Sequence, residues 1–394
     1  MAQALRQSIP DAPASLAVER PKGEQSMPAM IAEMAKVTGV PPMKLMRDFA
    51  GLSFGPGKVS FTDYERLRLF DEAFWAGVDR KSVVGQRRNR DLDVQANHRH
   101  DWYGLAANKV AANAYLAAYG FPVIPTQAIY AEGLATPSPS LLRGRDELRA
   151  FLTQTAAYPI FGKPVEGIQS LGAAAFTGCE GDMLRAADGS DTVLDHFIDD
   201  VHDNYASGYM FQPLLRPHLD VAALCGWNLA TVRVVTVSTE HGPRVLRACW
   251  KIPAGGNVAD NYWRGGNLLA QLDMKTGEIL RVTRGAGLDL VELEDHPDTG
   301  ARLIGARVPG WEALKATAIE AARLMRGLGI IGWDIAPATT GPVIVEMNES
   351  PDLFLNQLAD RRGLLEPDFM DFLARQKRDA ADHEACTKAA IAKL

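Results

Sequence analysis

Between Met27 and about Arg90 apolar residues recur at three- and four-residue spacing in MIAEMAKVTG, PMKLMRDFAGL and TDYERLRLFDEAFWAGV, which predicts a string of helices. Thr62 with Glu65 fits a capping box at the start of the last of them. The stretch before it, Met1 to about Gly23, mixes Ala, Pro, Gln and charges without period and reads as a mobile leader. Further on, a helix is predicted over Asn108–Tyr119, stopped by Gly120, with FPVIP passing into a strand. Another helix is predicted over Arg145–Thr155. Apolar, β-branched runs then predict strands at Pro159–Pro164, Gly208–Leu215, Leu229–Ser238 and Arg244–Ile252, and a hairpin over Gln271–Arg281 turning at Lys275–Gly277. Trp311–Leu328 carries a long amphipathic helical pattern, and helices follow Pro351. The mixture predicts an α/β (α+β) chain.

The richest chemistry falls on IIGWDIAPATTGPVIVEMNESP, Ile330–Pro351. Two alternating arms flank a turn of Pro337, Thr339, Thr340, Gly341 and Pro342. Folding about Thr340 puts Asp334 opposite Glu346, with Asn348 on the same face, while Trp333, Ile335, Val343, Val345 and Met347 bury the other face. Two carboxylates and an amide oxygen make a hard-cation site of the kind Mg²⁺ uses. The plainer alternative is a wet hairpin face. Against it, the acidic side of the hairpin carries no Lys or Arg to neutralise a carboxylate across the strands.

Other polar groups sit where apolar patterns surround them. Lys163, Arg233 and Lys251 lie inside predicted strands, where burying a cation is costly unless an anion meets it. Lys163 leads into Glu166–Gly172, whose Gly167, Gln169, Ser170 and Gly172 suit a flap closing over phosphates, although many hairpin turns look the same. Gln212, Pro213, Leu214 and Leu215 end a strand with backbone groups placed to meet an adenine edge, or simply form an edge stopped by proline. The Gly- and Asn-rich loop Gly255–Gly266 carries Arg264, suited to a carboxylate substrate. SFGPGK at Ser53–Lys58 lacks phosphate-loop spacing and reads as an interhelical turn, and His98 and His100 have no third ligand nearby.

Composition narrows the classes. The chain has 394 residues, 47% hydrophobic and 23% charged, with a net charge of −6 that argues against nucleic acid as partner. The cysteines Cys179, Cys225, Cys249 and Cys386 form no CxxC pair, so neither a zinc knuckle nor a disulfide framework is predicted. No apolar run approaches the roughly 20 residues of a membrane span and no signal-peptide pattern opens the chain, which gives a cytoplasmic expectation. No Ser-His-Asp or Cys-His signature is visible, and the lone histidines, His218 among them, read as structural.

NKVAANAYLAAYGFPVIPT, IFGKPVEGIQSLG, NLATVRVVTV, DNYWRGGNLLAQLDMKTGEI and GWDIAPATTGPVIVEMNESPDL together resemble the ATP-grasp superfamily, most closely its sugar-transfer-associated subgroup, which is similar to α-L-glutamate ligases. The resemblance spans Asn97 to about Leu373. It implies an ATP-grasp fold of two α+β lobes gripping a nucleotide. The layout would be a leader over 1–26, a helical N-terminal region over 27–96, a preceding segment over 97–158, a small lobe with glycine flap over 159–215, and a C-terminal lobe over 216–394. Its cofactors would be ATP and Mg²⁺. Lys109 and Lys163 would touch phosphates under the Glu166–Gly172 flap, Gln212–Leu215 would hold adenine, Arg233 would meet the γ-phosphate or acyl phosphate, and Asp334, Glu346 and Asn348 would hold Mg²⁺. Glu349 departs from the small or uncharged residue usual after the metal-binding Asn. The implied reaction joins a small-molecule carboxylate to an amine; a small-molecule kinase and a non-catalytic nucleotide-binding module linked to polysaccharide synthesis are the alternatives.

Overall fold

A computed structural model describes residues 26–131, 141–166, 172–205 and 207–392. Six helices come first: α1 (Met27–Thr38), α2 (Pro42–Ser53), α3 (Phe61–Arg66), α4 (Gln86–Ala96), α5 (Tyr103–Ala107) and α6 (Lys109–Ala118). The capping box of α3 differs from the expected one. Ser60, not Thr62, is the N-cap: its Oγ accepts from Asp63 N at 3.1 Å while Asp63 Oδ2 accepts from Ser60 N at 2.9 Å. The helix stops after Arg66, and Arg68 takes a left-handed φ of 53°, so the predicted long helix is one short helix followed by turns. SFGPGK begins on Ser53, the last residue of α2, and its remainder lies between α2 and α3, as expected of a turn.

The chain divides into two compact units. The described part of the first is built mainly on Ile124–Leu215. It contains β1 (Ala128–Tyr130), β2 (Leu141–Leu142), α7 (Arg145–Ala150) running into a π turn over Phe151–Thr155, β3 (Ile160–Pro164), β4 (Ala174–Glu180), β5 (Met183–Ala186), β6 (Asp191–Val193), α8 (Leu194–Asn204) and β7 (Tyr209–Pro213). Its strands lie in the order β2-β1-β7-β3-β4-β5-β6. Only β1 and β2 pair in parallel. Phe151, Ile160, Phe176, Phe197, Tyr209 and Phe211 fill its core, Phe176 meeting Phe197 edge-on at 4.9 Å.

The second unit takes Pro21–Val123, Arg216–Gly255 and Asp260–Leu394. After α9 (Leu219–Cys225) come β8 (Thr231–Val237), β9 (Arg244–Ile252), β10 (Leu268–Leu272), β11 (Ile279–Arg284), β12 (Val291–Leu293), α10 (Trp311–Leu324), β13 (Ile330–Ala338), β14 (Gly341–Asn348), α11 (Leu353–Asp360) and α12 (Pro367–Ile391). The sheet order β12-β11-β10-β9-β8-β13-β14 is antiparallel throughout. Val232, Val234, Trp250, Ala270, Trp333 and Ile335 pack one face against Leu314, Ala318 and Ala321 of α10. A second core joins Leu45, Leu52, Tyr64, Phe70 and Trp75 of the N-terminal helices and turns to Cys249 and Leu269 of the sheet and to Phe354, Leu355 and Leu358 of α11. The four cysteines are unpaired, and among the described residues no helix is long and apolar enough to cross a membrane.

Candidate active site

The Ile330–Pro351 stretch is a hairpin, and Asp334 pairs with Glu346. The route to that register differs from a simple pivot. Ala338 faces Gly341 across a two-residue turn, Ile335 faces Ile344, and the ladder then shifts at Asp334, leaving Val345 as the extra residue of a bulge. The buried set changes accordingly. Trp333, Ile335 and Met347 enter the core as expected, but with them goes Ile344; Val345 is half-buried, and Val343 is buried as expected but on the face of Asp334, where it pairs with Ala336.

Across the other edge of β13, Asp334 faces Arg233 of β8. Arg233 Nε donates to Asp334 Oδ1 at 2.7 Å and Nη2 to Oδ2 at 3.0 Å, a bidentate fork. Lys251 of β9 reaches Asp334 Oδ2 at 3.1 Å and Asp260 at 3.4 Å. Asp260 in turn accepts from Thr231 N at 2.7 Å and from Thr231 Oγ1 at 2.5 Å. The expectation that Asp334 lacks a cationic neighbour across the strands is therefore corrected: the hairpin itself has none, but the third and fourth strands supply two. Burial alone would raise the Asp334 carboxyl, yet Arg233 and Lys251 outweigh it and hold the group well below the usual carboxylate range. Burial pushes Asp260 up, against Lys251 and the two Thr231 bonds.

Glu346, less buried, pairs with Lys109 at the first turn of α6 at 3.4 Å. Asn348 directs Nδ2 towards Gly332 O at 3.5 Å, leaving its amide oxygen as the acceptor. Two carboxylates and one amide oxygen on one sheet face fit a hard divalent cation: Asp334 Oδ1 accepts one bond and keeps a second lone pair, while Oδ2 already meets both Arg233 and Lys251. Among the described residues no group of three or more His, Cys, Asp or Glu is placed to hold a metal ion.

In the first unit, Lys163 is half-buried on the face of β3 opposite the buried Ile160, Gly162 and Pro164, rather than immersed in an apolar strand. Gly167, Gln169 and Ser170 lie outside the described residues. Gly172 has φ 74°, its carbonyl accepts from Tyr209 Oη at 2.7 Å, and an added Cβ would strike the Tyr205 hydroxyl, so only glycine fits there. Gln212 is buried and donates Nε2 to Ile124 O at 3.0 Å. Pro213 closes β7, and the Leu214 N–H donates to Pro159 O at 2.9 Å, so this backbone donor is engaged rather than open as expected; Leu215 follows at the end of the unit.

The profile of the family described as sugar-transfer associated ATP-grasp matches residues 87–368. The chain belongs to this family. Its two sheets with flanking helices make an α+β ATP-grasp fold. Comparison with curated protein sequences gives no match. Among solved structures, this ATP-grasp chain is similar to D-alanine-D-alanine ligase from Coxiella burnetii, with TM-score 0.42 and 12% identity over 74% of this chain and 63% of that one. It is also similar to D-alanine–D-alanine ligase from Bacillus anthracis (TM-score 0.40, 11% identity, 72% and 70% covered) and to biotin carboxylase from Campylobacter jejuni (0.36, 13%, 68% and 49%). The chain thus spans under two thirds of the length of the Coxiella ligase.

Within this ATP-grasp chain, sequence reasoning missed Asp260. The signal was present, since it stands in the same Gly- and Asn-rich loop from which Arg264 was singled out, and two cations in neighbouring strands needed anions. Arg264 itself is half-buried, its N–H donating to Asn261 O at 3.0 Å, while Asp260 makes the loop's bonds to Lys251 and Thr231. His218 caps α9, its Nδ1 accepting from Asp220 N at 3.2 Å, as a structural histidine would. His98 and His100 serve in ring contacts, with His383 and Tyr103 respectively.

Proposed function

We propose that the chain is an ATP-dependent carboxylate-amine ligase working with Mg²⁺. The observation that carries this reading is the row of charges across one face of the second unit's sheet, where Glu346, Asp334 and Arg233 pair side by side, Lys251 and Asp260 close one end and Lys109 the other. Such a row suits a reaction whose demand is charge neutralisation and positioning rather than a protein nucleophile.

On this reading Asp334, Glu346 and Asn348 hold Mg²⁺, which when bound supplies positive charge to the phosphate oxygens. The pairing of Arg233 with Asp334 uses Nε and Nη2 and spares Nη1 for a phosphoryl or acyl-phosphate oxygen. Arg233, with Lys251, keeps Asp334 ionised. Lys109, Lys163 and the Glu166–Gly172 segment are assigned to the nucleotide's phosphates, Gln212–Leu215 to adenine, and Arg264 to the carboxylate substrate. An oxygen of that substrate attacks the γ-phosphorus, ADP leaves, and an amine then displaces phosphate from the acyl phosphate to give the amide.

The test is ADP release with pooled carboxylic acids and pooled amines in the presence of Mg²⁺. ADP that requires both pools supports the ligase; ADP from one pool alone makes the protein a kinase. Lys163→Ala and Glu346→Gln should each lower the rate by about 100-fold or more, as loss of an electrostatic contact to a transferring group does. Undiminished ADP release in both variants removes the assignment.

A further inference from the structure

Helix α4 carries three buried polar residues at four-residue spacing, Asn89, Asp93 and Asn97, the last being its C-cap. That spacing puts them in one stripe along the helix. Their partners are consecutive in the chain. Asn97 Nδ2 donates to Glu349 O at 2.5 Å, Ser350 Oγ donates to Asp93 Oδ2 at 2.6 Å, and Asn89 Nδ2 donates to Pro351 O at 3.2 Å. Asn97 also brackets the start of β13, donating Nδ2 to Ile330 O at 2.9 Å and accepting from Ile330 N at 2.9 Å. Asn89 Nδ2 further donates to Asp93 Oδ2 at 2.9 Å, tying the stripe together.

The gripped segment Glu349–Pro351 begins one residue after Asn348. It also lies over Gly332, where an added Cβ would come within 2.8 Å of Pro351 Cβ. A helix that merely fills space needs no such stripe: Leu92 and Ala96 already give α4 an apolar footing in the core with Phe369, Phe372 and Leu373. Each buried polar group costs about 1–3 kcal/mol if left unpaired, so the stripe specifies one position of the segment rather than adding adhesion.

We propose that Asn89, Asp93 and Asn97 are positioning residues for the cation-binding end of β14: by fixing Glu349, Ser350 and Pro351 they set the aim of the Asn348 amide oxygen. The N-terminal helical region is then a working part of the site. This rests on the reading of Asp334, Glu346 and Asn348 as Mg²⁺ ligands.

The test is calorimetric titration of the full chain with ADP across a series of Mg²⁺ concentrations, with circular dichroism confirming the fold of each variant. The wild type should bind ADP more tightly as Mg²⁺ rises. Asn97→Ala and Ser350→Ala should raise the Mg²⁺ concentration for half-maximal effect by about 10- to 100-fold, the range seen when residues orienting metal ligands are lost, while ADP binding without Mg²⁺ is unchanged. Asp93→Asn, which keeps an acceptor for Ser350, should stay near the wild type. Gln95→Ala, on the same helix but bonded to Leu373 O, should change stability without moving the Mg²⁺ dependence. An unchanged Mg²⁺ dependence in both folded Asn97→Ala and Ser350→Ala overturns the positioning role while leaving the ligand assignment standing. ADP binding by the wild type that ignores Mg²⁺ overturns the ligand assignment, and the positioning role with it.

Discussion

Asp334 is buried with Arg233 and Lys251, and their side chains keep only 6–9% of their exposure. Desolvating three charges is tolerable because the fork and the lysine satisfy both carboxylate oxygens, but the arrangement fails if one member goes. Arg233→Met should therefore lower unfolding free energy by about 3–5 kcal/mol, measured by urea denaturation, and adding Asp334→Leu should restore part of that loss. The sequence disclosed that Arg233 and Lys251 wanted anions and that Asp334 sat opposite Glu346. It did not disclose that Asp334 was the anion both cations meet, since Arg233 and Asp334 stand 101 positions apart and only the strand order brings them together. Asp93 gives a prediction of opposite sign. Burial, with help from Asp352 and Glu349 and against the Ser350 bond, pushes it up to about 7 from 3.8. A raised carboxyl stabilises in full below about pH 4 and loses that contribution as pH climbs through about 7. Asp93→Asn removes the titration, so its urea midpoint should improve relative to wild type between pH 5 and pH 8; a constant difference between the two curves would mean Asp93 does not titrate there.

At the scale of elements, periodicity located α1, α2, α6 and α10 because amphipathic spacing is a local property. Boundaries were set by contacts that no local pattern carries. The predicted helix Trp311–Leu328 ends at Leu324, and the chain then passes Gly327 and Gly329, where added Cβ atoms would lie 2.0 Å from the Trp102 ring and 2.2 Å from Ala96 O. Close backbone approach, not helix propensity, rules that stretch. The α3 cap makes the same point. Ser60 with Asp63 and Thr62 with Glu65 have identical spacing, and the choice falls to Ser60, whose partner Asp63 also receives Gln86 N at 3.2 Å from the start of α4. Ser60→Ala should cost about 1 kcal/mol, whereas Thr62→Ala should change stability by a few tenths at most, both read from chemical denaturation. The β14 bulge was illegible for a related reason: an extra residue in a ladder leaves no mark in an alternating apolar run.

At the scale of the whole molecule, the family profile begins at residue 87, yet the hydrophobic packing of the second unit reaches back to Ile31. Leu45, Leu52, Leu67, Phe70 and Trp75, all 5% exposed or less, share a core with Phe354, Leu355 and Leu358 of the helix that follows the hairpin. Arg80 forks Asp48 at 2.8 and 2.9 Å, which pins α2 within the same region. Burying one such apolar side chain contributes about 1.5–3 kcal/mol, so losing several exceeds the whole stability of an ordinary domain, about 5–15 kcal/mol. A chain starting at residue 97 should accordingly fail to give a cooperative thermal transition and should bind hydrophobic dyes, even though it holds every residue assigned to contact the nucleotide, the cation or the substrate. The far end behaves differently. In α12 the buried residues stop at Gln376, and from Lys377 to Ile391 the helix is almost wholly exposed. A chain ending at Lys377 should keep its melting temperature within about 2–4 °C of the full chain, the shift that about 1 kcal/mol produces in a domain of about 150–250 residues and an upper bound for a longer chain. If the first truncation melted cooperatively, the N-terminal helices would be an accessory to this sheet rather than part of its core.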